Sequence, residues 1–256
     1  MTRRRLQILM PWAVTLGLFA LWEAFCRISG IEVFILPAPS DAWAAGVEFW
    51  PQLLEHSLQT LFTTTAGFVL AVGFGVLLGL AIGSSTLVYK GLYPVLVGFN
   101  SIPKVALVPV LVIWFGIGTV PAIITAFVIS FFPIAVNVAT GLATIEPELT
   151  DVLRSLGASR REILAKIGLP RAMPYLFASL KIAITLSFVG SVISETVASN
   201  SGIGYLMLAA SSNYNVPLVF AGLLVVAFLG VVMYALMALV EGRMTGWAFR
   251  GTDLMS

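Results

Sequence analysis

Residues Glu148 to Pro170 read ELTDVLRSLGASRREILAKIGLP, and this interval carries the highest density of charge in an otherwise apolar chain. Gly157 stands where the C-terminus of a helix needs a residue in the left-handed conformation. Ser159, with Glu162 three residues later, forms the capping-box pattern that starts a second helix. Pro170 is expected to end that helix, because proline disfavours helical geometry in the residue before it. The stretch therefore predicts two short helices joined by a turn.

The rest of the chain is too apolar for a soluble domain. Of its 256 residues, 59% are hydrophobic and only 10% are charged, whereas about a quarter of the residues in soluble domains are charged. A chain of this length cannot bury so much apolar surface in a core of its own, so the lipid bilayer is its predicted solvent. The charged stretch then lies between membrane spans, where it is typical of a surface that docks a partner protein.

Apolar runs of about 20 residues predict an all-α, multi-pass membrane protein with six spans and both termini in the cytoplasm. All of its 14 basic residues except Arg27 and Lys104 fall in segments that this orientation places in the cytoplasm, as the positive-inside rule requires. The residues form one transmembrane domain, 1–256. Its predicted spans are 6–25, 58–83, 92–115, 120–142, 178–197 and 217–240, with a cytoplasmic coupling loop at 143–177.

The composition also excludes several classes of function. One cysteine, Cys26, and one histidine, His56, leave no internal disulfide and no cysteine- or histidine-rich metal site. The phosphate-loop pattern G-x-x-x-x-G-K-[ST] is absent, so the chain is not predicted to hydrolyse ATP alone. We expect no catalytic residue, no metal, no cofactor in this chain and no nucleic-acid partner.

Two features predict how the spans pack and where they open. Small residues recur every four positions between Gly67 and Gly83, which indicates either a static packing seam or a helix that slides during gating. The third span contains Pro94, Pro103 and Pro109, and broken helices are tolerated in membranes where they line a cavity. Between the fifth and sixth spans, residues 198–215 read as an uncharged loop.

Polar side chains inside the spans are expected to line a transport pathway, because ionisable groups at membrane depth are costly and usually functional. Lys104 has three open placements: an ion pair with Glu195, a free charge in the pathway, or a position nearer the cytoplasmic surface. We favour the pathway charge. The predicted pathway residues are Lys104, Asn137, Ser187, Ser191 and Glu195.

The charged stretch resembles the EAA loop of ABC-importer permeases, the coupling element that seats in a cleft of the ATPase. Gly157 is followed, after nine intervening residues, by Ile167, Leu169 and Pro170, which matches the spacing of that loop. The acidic-Ala-Ala triplet of the family reads Asp151-Val152-Leu153 here, so only the acid is shared. The resemblance assigns ATPase coupling to eight residues: Asp151, Gly157, Ala158, Arg160, Arg161, Ile167, Leu169 and Pro170.

Further segments resemble the nitrate/sulfonate/taurine branch of these permeases. They are Phe34–Pro39, Ile102–Ala106, Trp114–Gly118, Phe132–Asn137, and Glu195 followed by Gly202–Tyr205. The resemblance implies a type I ABC-importer permease in the bacterial inner membrane. It also implies a homodimeric pore, two ATPase subunits that carry ATP and magnesium, and an extracytoplasmic binding protein. The implied solute is a nitrate-, sulfonate- or taurine-like anion, an aromatic carboxylate or a pyrimidine precursor of thiamine.

An alternative from another class is an intramembrane enzyme with Lys104, Asn137 and Glu195 as its buried polar centre. Nothing in the sequence resembles a nucleophile paired with a base, and the lining of a pathway explains the same residues. Co-purification with a nucleotide-binding subunit distinguishes the two functions.

Overall fold

The computed structural model describes residues 3–144 and 146–245, except for the side chains of residues 3–8, Thr86, Pro147, Arg160 and Arg161. All regular structure in these two ranges is helical. The α-helices are α1 (Arg3–Ser29), α2 (Pro39–Glu48), α3 (Trp50–Gly83), α4 (Thr86–Asn100), α5 (Val108–Phe115), α6 (Thr119–Ala143), α7 (Pro147–Ser155), α8 (Arg160–Ile163), α9 (Leu169–Ala198), α10 (Ile203–Ser212) and α11 (Val216–Thr245).

Five of these helices, α1, α3, α6, α9 and α11, are long and apolar enough to cross a membrane. Helices α4 and α5 form a sixth candidate span if the pair is counted as one, and the two are bent by 77°. The predicted all-α, six-segment membrane fold is therefore confirmed. Arg250, one of the basic residues that predict the orientation, lies outside the described residues.

The core is formed by α3, α6 and α9, and the small residues of α3 face α6. A Cβ atom at Gly67 would lie 2.5 Å from Ala126 Cβ, and one at Gly79 would lie 2.7 Å from Val138 Cβ. No larger residue fits at these two positions, so the absent side chains let the two helix backbones approach closely. In this structure the small residues between Gly67 and Gly83 form a close packing interface between α3 and α6.

The third predicted span is broken, and the break lies at its polar residues. Helix α4 ends at Asn100, and a short 3-10 turn, Lys104–Leu107, leads into α5. Pro94 lies inside α4, whereas Pro103 immediately precedes the turn and Pro109 occupies the first turn of α5. Proline is accommodated at helix starts because the N–H it lacks has no partner there.

The segment between α9 and α11 is not the plain loop that its lack of charge predicts. It contains α10, which buries Ile203, Leu206 and Ala210 in a cluster with Leu218 and Ala221 of α11. These three positions follow helical spacing, and that spacing is the signal in the sequence. The mixed segment between the first two spans predicts one interfacial helix at about 41–50, and the structure has α2 there, which begins at Pro39 and ends at Glu48.

Candidate functional site

Residues 146–171, which lie inside the predicted coupling loop at 143–177, form the coupling element, which turns at Gly157 between α7 and α8. Gly157 has φ +84°, a conformation that glycine adopts without steric cost. Its N–H binds the Arg154 carbonyl at 2.9 Å, and the N–H of Ala158 binds the Leu153 carbonyl at 3.0 Å. These two bonds make a Schellman motif, which satisfies carbonyls at the end of α7. The left-handed turn predicted at Gly157 is confirmed.

Ser159 and Glu162 form the predicted capping box at the start of α8. Glu162 Oε2 accepts hydrogen bonds from the Ser159 N–H at 2.9 Å and from the Ser159 hydroxyl at 2.8 Å, while the Glu162 N–H donates to Ser159 Oγ at 3.3 Å. The backbone and hydroxyl donors of Ser159, with the charge of Lys166, lower the pKa of the Glu162 carboxyl. The carboxylate is therefore ionised at neutral pH, and the turn between the two helices is held at both ends.

The prediction that Pro170 ends the second helix is wrong. Helix α8 continues through a π-helical turn, Leu164–Gly168, directly into α9. In this turn the Leu169 N–H donates to the Leu164 carbonyl, one residue further back than in an α-helix. Pro170 then occupies the first turn of α9, where its missing N–H is tolerated. The fifth membrane helix therefore begins at Leu169, inside the predicted loop, and the coupling element is continuous with it.

Helix α7 presents an apolar surface whose residues are not among the predicted coupling residues. Val152 and Leu156, four residues apart, are 56% and 77% exposed. Asp151 is exposed beside them and forms an ion pair with Arg154 at 3.5 Å. Exposed apolar side chains surrounded by charge are typical of a site that docks another protein. The four-residue spacing is the signal that identifies the two apolar residues in the sequence.

The other predicted coupling residues lie close by along the chain. Ala158, Ile167 and Pro170 are half-buried, and Leu169 is exposed. Arg160 and Arg161 begin α8, but their side chains lie outside the described part of the structure. An ion pair of 3.5 Å between Arg171 and Glu146 joins the two ends of the coupling element.

A cavity of about 440 Å³ opens beside the break between α4 and α5. It brings together two of the predicted pathway residues, Lys104 and Asn137. The residues that line it are Asn100, Lys104, Ile129, Phe132, Pro133, Val136, Asn137 and Leu186.

Lys104 lies in this cavity and caps the end of α4. Its ammonium donates to the Asn100 carbonyl at 3.1 Å and to Oδ1 of the same residue, and Nζ lies 6.0 Å from the centre of the Phe132 ring. Because α4 ends at Asn100, that carbonyl has no acceptor role within the helix, and a cation there is favoured by the helix dipole. Lys104 therefore has a capping role that its sequence context does not predict, and it forms no ion pair with Glu195.

Asn137 lines the same cavity from α6. Its Nδ2 donates to the Pro133 carbonyl at 2.8 Å. This bond uses one of the two N–H groups of the amide and leaves Oδ1 without a partner among the hydrogen bonds of the described residues.

Ser187, Ser191 and Glu195 are buried against α3 and do not line the cavity. Their relative exposures are 0%, 0% and 1%. The Ser187 hydroxyl donates to the Thr64 carbonyl at 2.9 Å, and the Ser191 hydroxyl donates to Thr63 Oγ1. The expectation that these three side chains line a pathway is corrected accordingly: the small and polar stripe of α9 packs on α3, because polar groups buried in lipid find partners on neighbouring helices.

Glu195 is the centre of this arrangement, and we name Thr60, Thr63, Ser191 and Glu195 the outer polar cluster. Glu195 Oε2 accepts from the Thr60 hydroxyl at 2.7 Å and from the Gly204 N–H at 3.3 Å, and Oε1 accepts from the Thr63 hydroxyl at 3.0 Å. None of the ion pairs within residues 3–144 and 146–245 includes this carboxyl. The carboxyl group of Glu195 is thus stabilised by hydrogen bonds and not by a counter-ion, because a buried polar group without partners is destabilising.

The residues at the start of α10 pack directly against the Glu195 carboxyl group. Gly202 has φ +99°, and a Cβ atom there would lie 2.2 Å from Glu195 Cδ, while one at Gly204 would lie 2.3 Å from the Val192 carbonyl oxygen. Both positions therefore require glycine. The sequence pattern of Glu195 followed by Gly202-Ile203-Gly204 has its physical cause in this close contact.

Two residues of α3 hold the same turn, and neither is among the residues that the sequence predicts for a site. His56 Nδ1 accepts from the Gly202 N–H at 3.0 Å, and Thr60 Oγ1 accepts from the Ile203 N–H at 2.9 Å. His56, Thr60 and Thr63 follow helical spacing, which is the one signal that places them on a common face.

Residues 71–246 match the family described as "Binding-protein-dependent transport system inner membrane component". The chain belongs to this family. Two thirds of its length lie in the match, including the whole coupling element, the cavity and α10.

Three relatives resemble the chain over nearly its whole length. The formylaminopyrimidine transport permease protein ThiX of Halalkalibacterium halodurans is 28% identical, and the match covers 96% of this chain and 98% of ThiX. The riboflavin transport system permease protein RibX of Chloroflexus aurantiacus is 33% identical over 90% of this chain and 87% of RibX. The taurine transport system permease protein TauC of Escherichia coli is 27% identical over 90% of this chain and 86% of TauC.

The fold is also similar to that of a solved transporter. A chain from the inward-facing MetNI methionine ABC transporter aligns with a TM-score of 0.65 and 21% identity, over 73% of this chain and 94% of that chain. At this identity the likeness concerns the fold alone, and it confirms the predicted type I importer-like architecture.

The chain is therefore a permease subunit of an ABC importer in the bacterial inner membrane, and it resembles the sulfonate and taurine branch. An importer of this kind works with an ATPase and a binding protein, so these two partners follow from the family. The alternative of an intramembrane enzyme is wrong, because the family and its relatives are transport components.

Proposed function

We propose that two copies of this permease form one pore, with two ABC ATPase subunits on the cytoplasmic side and an extracytoplasmic binding protein on the other. The cavity beside α4 and α5 is not fully enclosed by this chain, and in this proposal the second copy completes its wall. The proposed solute is small and polar, in the range of nitrate-, sulfonate- or taurine-like anions, aromatic carboxylates and thiamine pyrimidine precursors. The names of ThiX and TauC support this range.

The observation that carries the proposal is the form of the coupling element. It is exposed on α7, fixed internally by the turn at Gly157 and by the capping box, and joined without interruption to α9. A movement of an ATPase against Val152 and Leu156 would therefore reach α9 and the cavity residue Leu186. ATP and magnesium belong to the ATPase subunits in this arrangement, and this chain supplies no group for the hydrolysis.

Replacing Gly157 tests this proposal. Gly157→Val places a β-branched side chain at φ +84°, which is strained, so the docking surface would be misaligned although the membrane helices still insert. ATP hydrolysis stimulated by the binding protein is measured in the reconstituted complex, and we expect it to fall to the basal rate. Gly157→Asn is the matched control, because asparagine tolerates this conformation. Full stimulation of the valine variant would refute the coupling role.

The two arginines at the start of α8 provide a second test. Basic residues near a helix N-terminus oppose its dipole, so their position favours a contact with acidic residues of the ATPase, the other explanation being inner-surface topology alone. Changing Arg160 and Arg161 to glutamate should weaken assembly with the ATPase. The difference in co-purified ATPase between variant and wild type should become smaller as salt is added, because salt screens exposed charges. Equal co-purification of the ATPase by both proteins at every salt concentration would leave topology as the explanation.

A further inference from the structure

The cavity beside the broken helix has unused hydrogen-bond donors. The ammonium of Lys104 has three N–H groups, and both of its acceptors are oxygens of Asn100, so one N–H remains for a ligand. Asn137 has one further N–H, since only one is used by the Pro133 carbonyl. Asn100 lines the same space. These donors come from two elements, the 3-10 turn after α4 and helix α6.

The charged side chains that line the cavity are of one sign only. Lys104 is the single cation among the eight lining residues, and none of the eight carries a carboxylate. An anionic group is therefore attracted to the ammonium. A cationic group on the same ligand would find no carboxylate among these residues, only the neutral Oδ1 of Asn137, and a charge without a counter-ion in a half-buried site is disfavoured. The wall thus favours an anion and disfavours both a cation and a zwitterion.

The remainder of the wall is apolar. Phe132 lies under the ammonium, with 6.0 Å between Nζ and the ring centre, and Ile129, Val136 and Leu186 complete this side. The volume of about 440 Å³ falls in the usual range for sites that bind small organic molecules. An aromatic or aliphatic body fits against these side chains while its anionic group remains at Lys104.

We propose that this cavity binds an organic monoanion, with one carboxylate or sulfonate group on an uncharged apolar body and with no amino group. Lys104 and Asn137 bind the anionic group, and Phe132 contacts the body. The inference rests on the proposed pathway role of the cavity, and it narrows the solute range given above by excluding zwitterions such as amino-sulfonates.

The test is equilibrium binding to the complete permease–ATPase complex in lipid nanodiscs, without binding protein. The probe is 4-fluorobenzenesulfonate, observed by ¹⁹F NMR. Its competitors are benzenesulfonate, methanesulfonate, benzylamine and 4-(aminomethyl)benzenesulfonate. Benzenesulfonate should compete at least about tenfold better than each of the other three, which is the factor that one good polar or apolar contact supplies.

Variants then assign the contacts. Lys104→Met should weaken binding of the probe at least about tenfold, whereas Lys104→Arg keeps the charge and most of the affinity. Phe132→Leu should weaken benzenesulfonate but not methanesulfonate. Lys90→Met, at an exposed position near the other end of α4, is the matched control and should bind as wild type does.

Three results would overturn the inference: no binding of the probe, competition by the zwitterion equal to that of benzenesulfonate, or an equal loss in Lys90→Met. ATP hydrolysis stimulated by the binding protein is measured on the same preparation. A stimulated complex that does not bind the probe refutes this inference and leaves the proposed function intact. Full stimulation of the Gly157→Val variant would refute the coupling role in the proposed function, whatever the result of probe binding.

Discussion

Glu195 in α9 and Lys104 at the break after α4 are two of the ionisable side chains in the candidate membrane spans, and they have opposite surroundings. Glu195 is 1% exposed and accepts three hydrogen bonds, from α3 and from α10. Lys104 is half-buried at a cavity wall, and its two acceptors belong to a single residue four positions earlier. The carboxylate is enclosed by partners, whereas the ammonium retains a free donor.

This difference teaches that depth in the membrane does not by itself identify a pathway residue. A buried carboxyl group whose two oxygens both accept hydrogen bonds joins elements of the fold, and here it joins α3, α9 and α10. A charge with an unused donor next to an open volume is available to a ligand. We therefore interpret Glu195 as structural and Lys104 as functional, and the predictions below separate the two roles.

The largest expected effect is the loss of stability on replacing Glu195 by leucine. Glu195→Leu leaves the Gly204 N–H unpaired in the interior and removes the acceptor of two threonine hydroxyls, which should destabilise the permease by roughly 3 kcal/mol. The measurement is thermal unfolding of the purified complex. Glu195→Gln keeps the shape and one acceptor oxygen, so its loss should be less than half as large. Unfolding of the leucine variant at the wild-type temperature would contradict the structural role.

The next effect concerns transport rather than stability. Lys104→Met should unfold near the wild-type temperature, because the cavity is open and the side chain is not enclosed. Uptake of an anionic substrate into proteoliposomes should nevertheless fall at least about tenfold, a loss of about 1.4 kcal/mol of transition-state stabilisation, with a much smaller change in basal ATP hydrolysis. Lys104→Arg should retain a good part of the uptake. Equal loss in both variants would indicate packing at the helix break, and full uptake by the methionine variant would remove Lys104 from the mechanism.

A smaller effect is expected at the edge of the outer polar cluster. Thr63→Val removes one donor to Glu195 and the acceptor of Ser191 while it preserves the side-chain shape, so the cost should be about 1 kcal/mol. Thr185→Val is the matched control, since that exposed hydroxyl of α9 binds only a carbonyl of its own helix. Thermal unfolding compares the two variants. Equal effects at both positions would mean that the cluster adds nothing beyond ordinary helix hydrogen bonds.

The sequence predicts the coupling element well because its structure is local. The turn at Gly157 and the capping box of Ser159 and Glu162 depend on residues within a few positions of each other. Pro170 is the exception: the π-helical turn before it accommodates the missing N–H, and neither the residue type nor its spacing reveals that turn. The cavity is predicted in part, since the prolines and polar residues of the third span indicate a break beside Lys104.

Sequence patterns do not predict the outer polar cluster, because its hydrogen bonds join residues that are far apart in the sequence. Thr60 and Glu195 are 135 positions apart, and no local rule selects one as the partner of the other. Ser187 and Ser191 share a helical face with Glu195, and that periodicity predicts a common environment without deciding between a pathway and a packed interface. Helix α10 is too short to read as a membrane span, and the helical spacing of its apolar residues is the sequence signal that identifies it.

The most direct test of the contrast between cavity and cluster is the reactivity of cysteines placed in each. Cys26 is the chain's single cysteine, so a Cys26→Ser background allows Asn137→Cys and Ser191→Cys to be compared. The measurement is the rate of labelling by a small anionic methanethiosulfonate in the assembled complex. We predict that the cysteine at position 137 reacts at least about tenfold faster than the one at 191, because thiol reactivity follows exposure and a nearby positive charge. Equal rates, or faster labelling at position 191, would contradict the assignment of Lys104 and Asn137 to the pathway and of Glu195 to the fold.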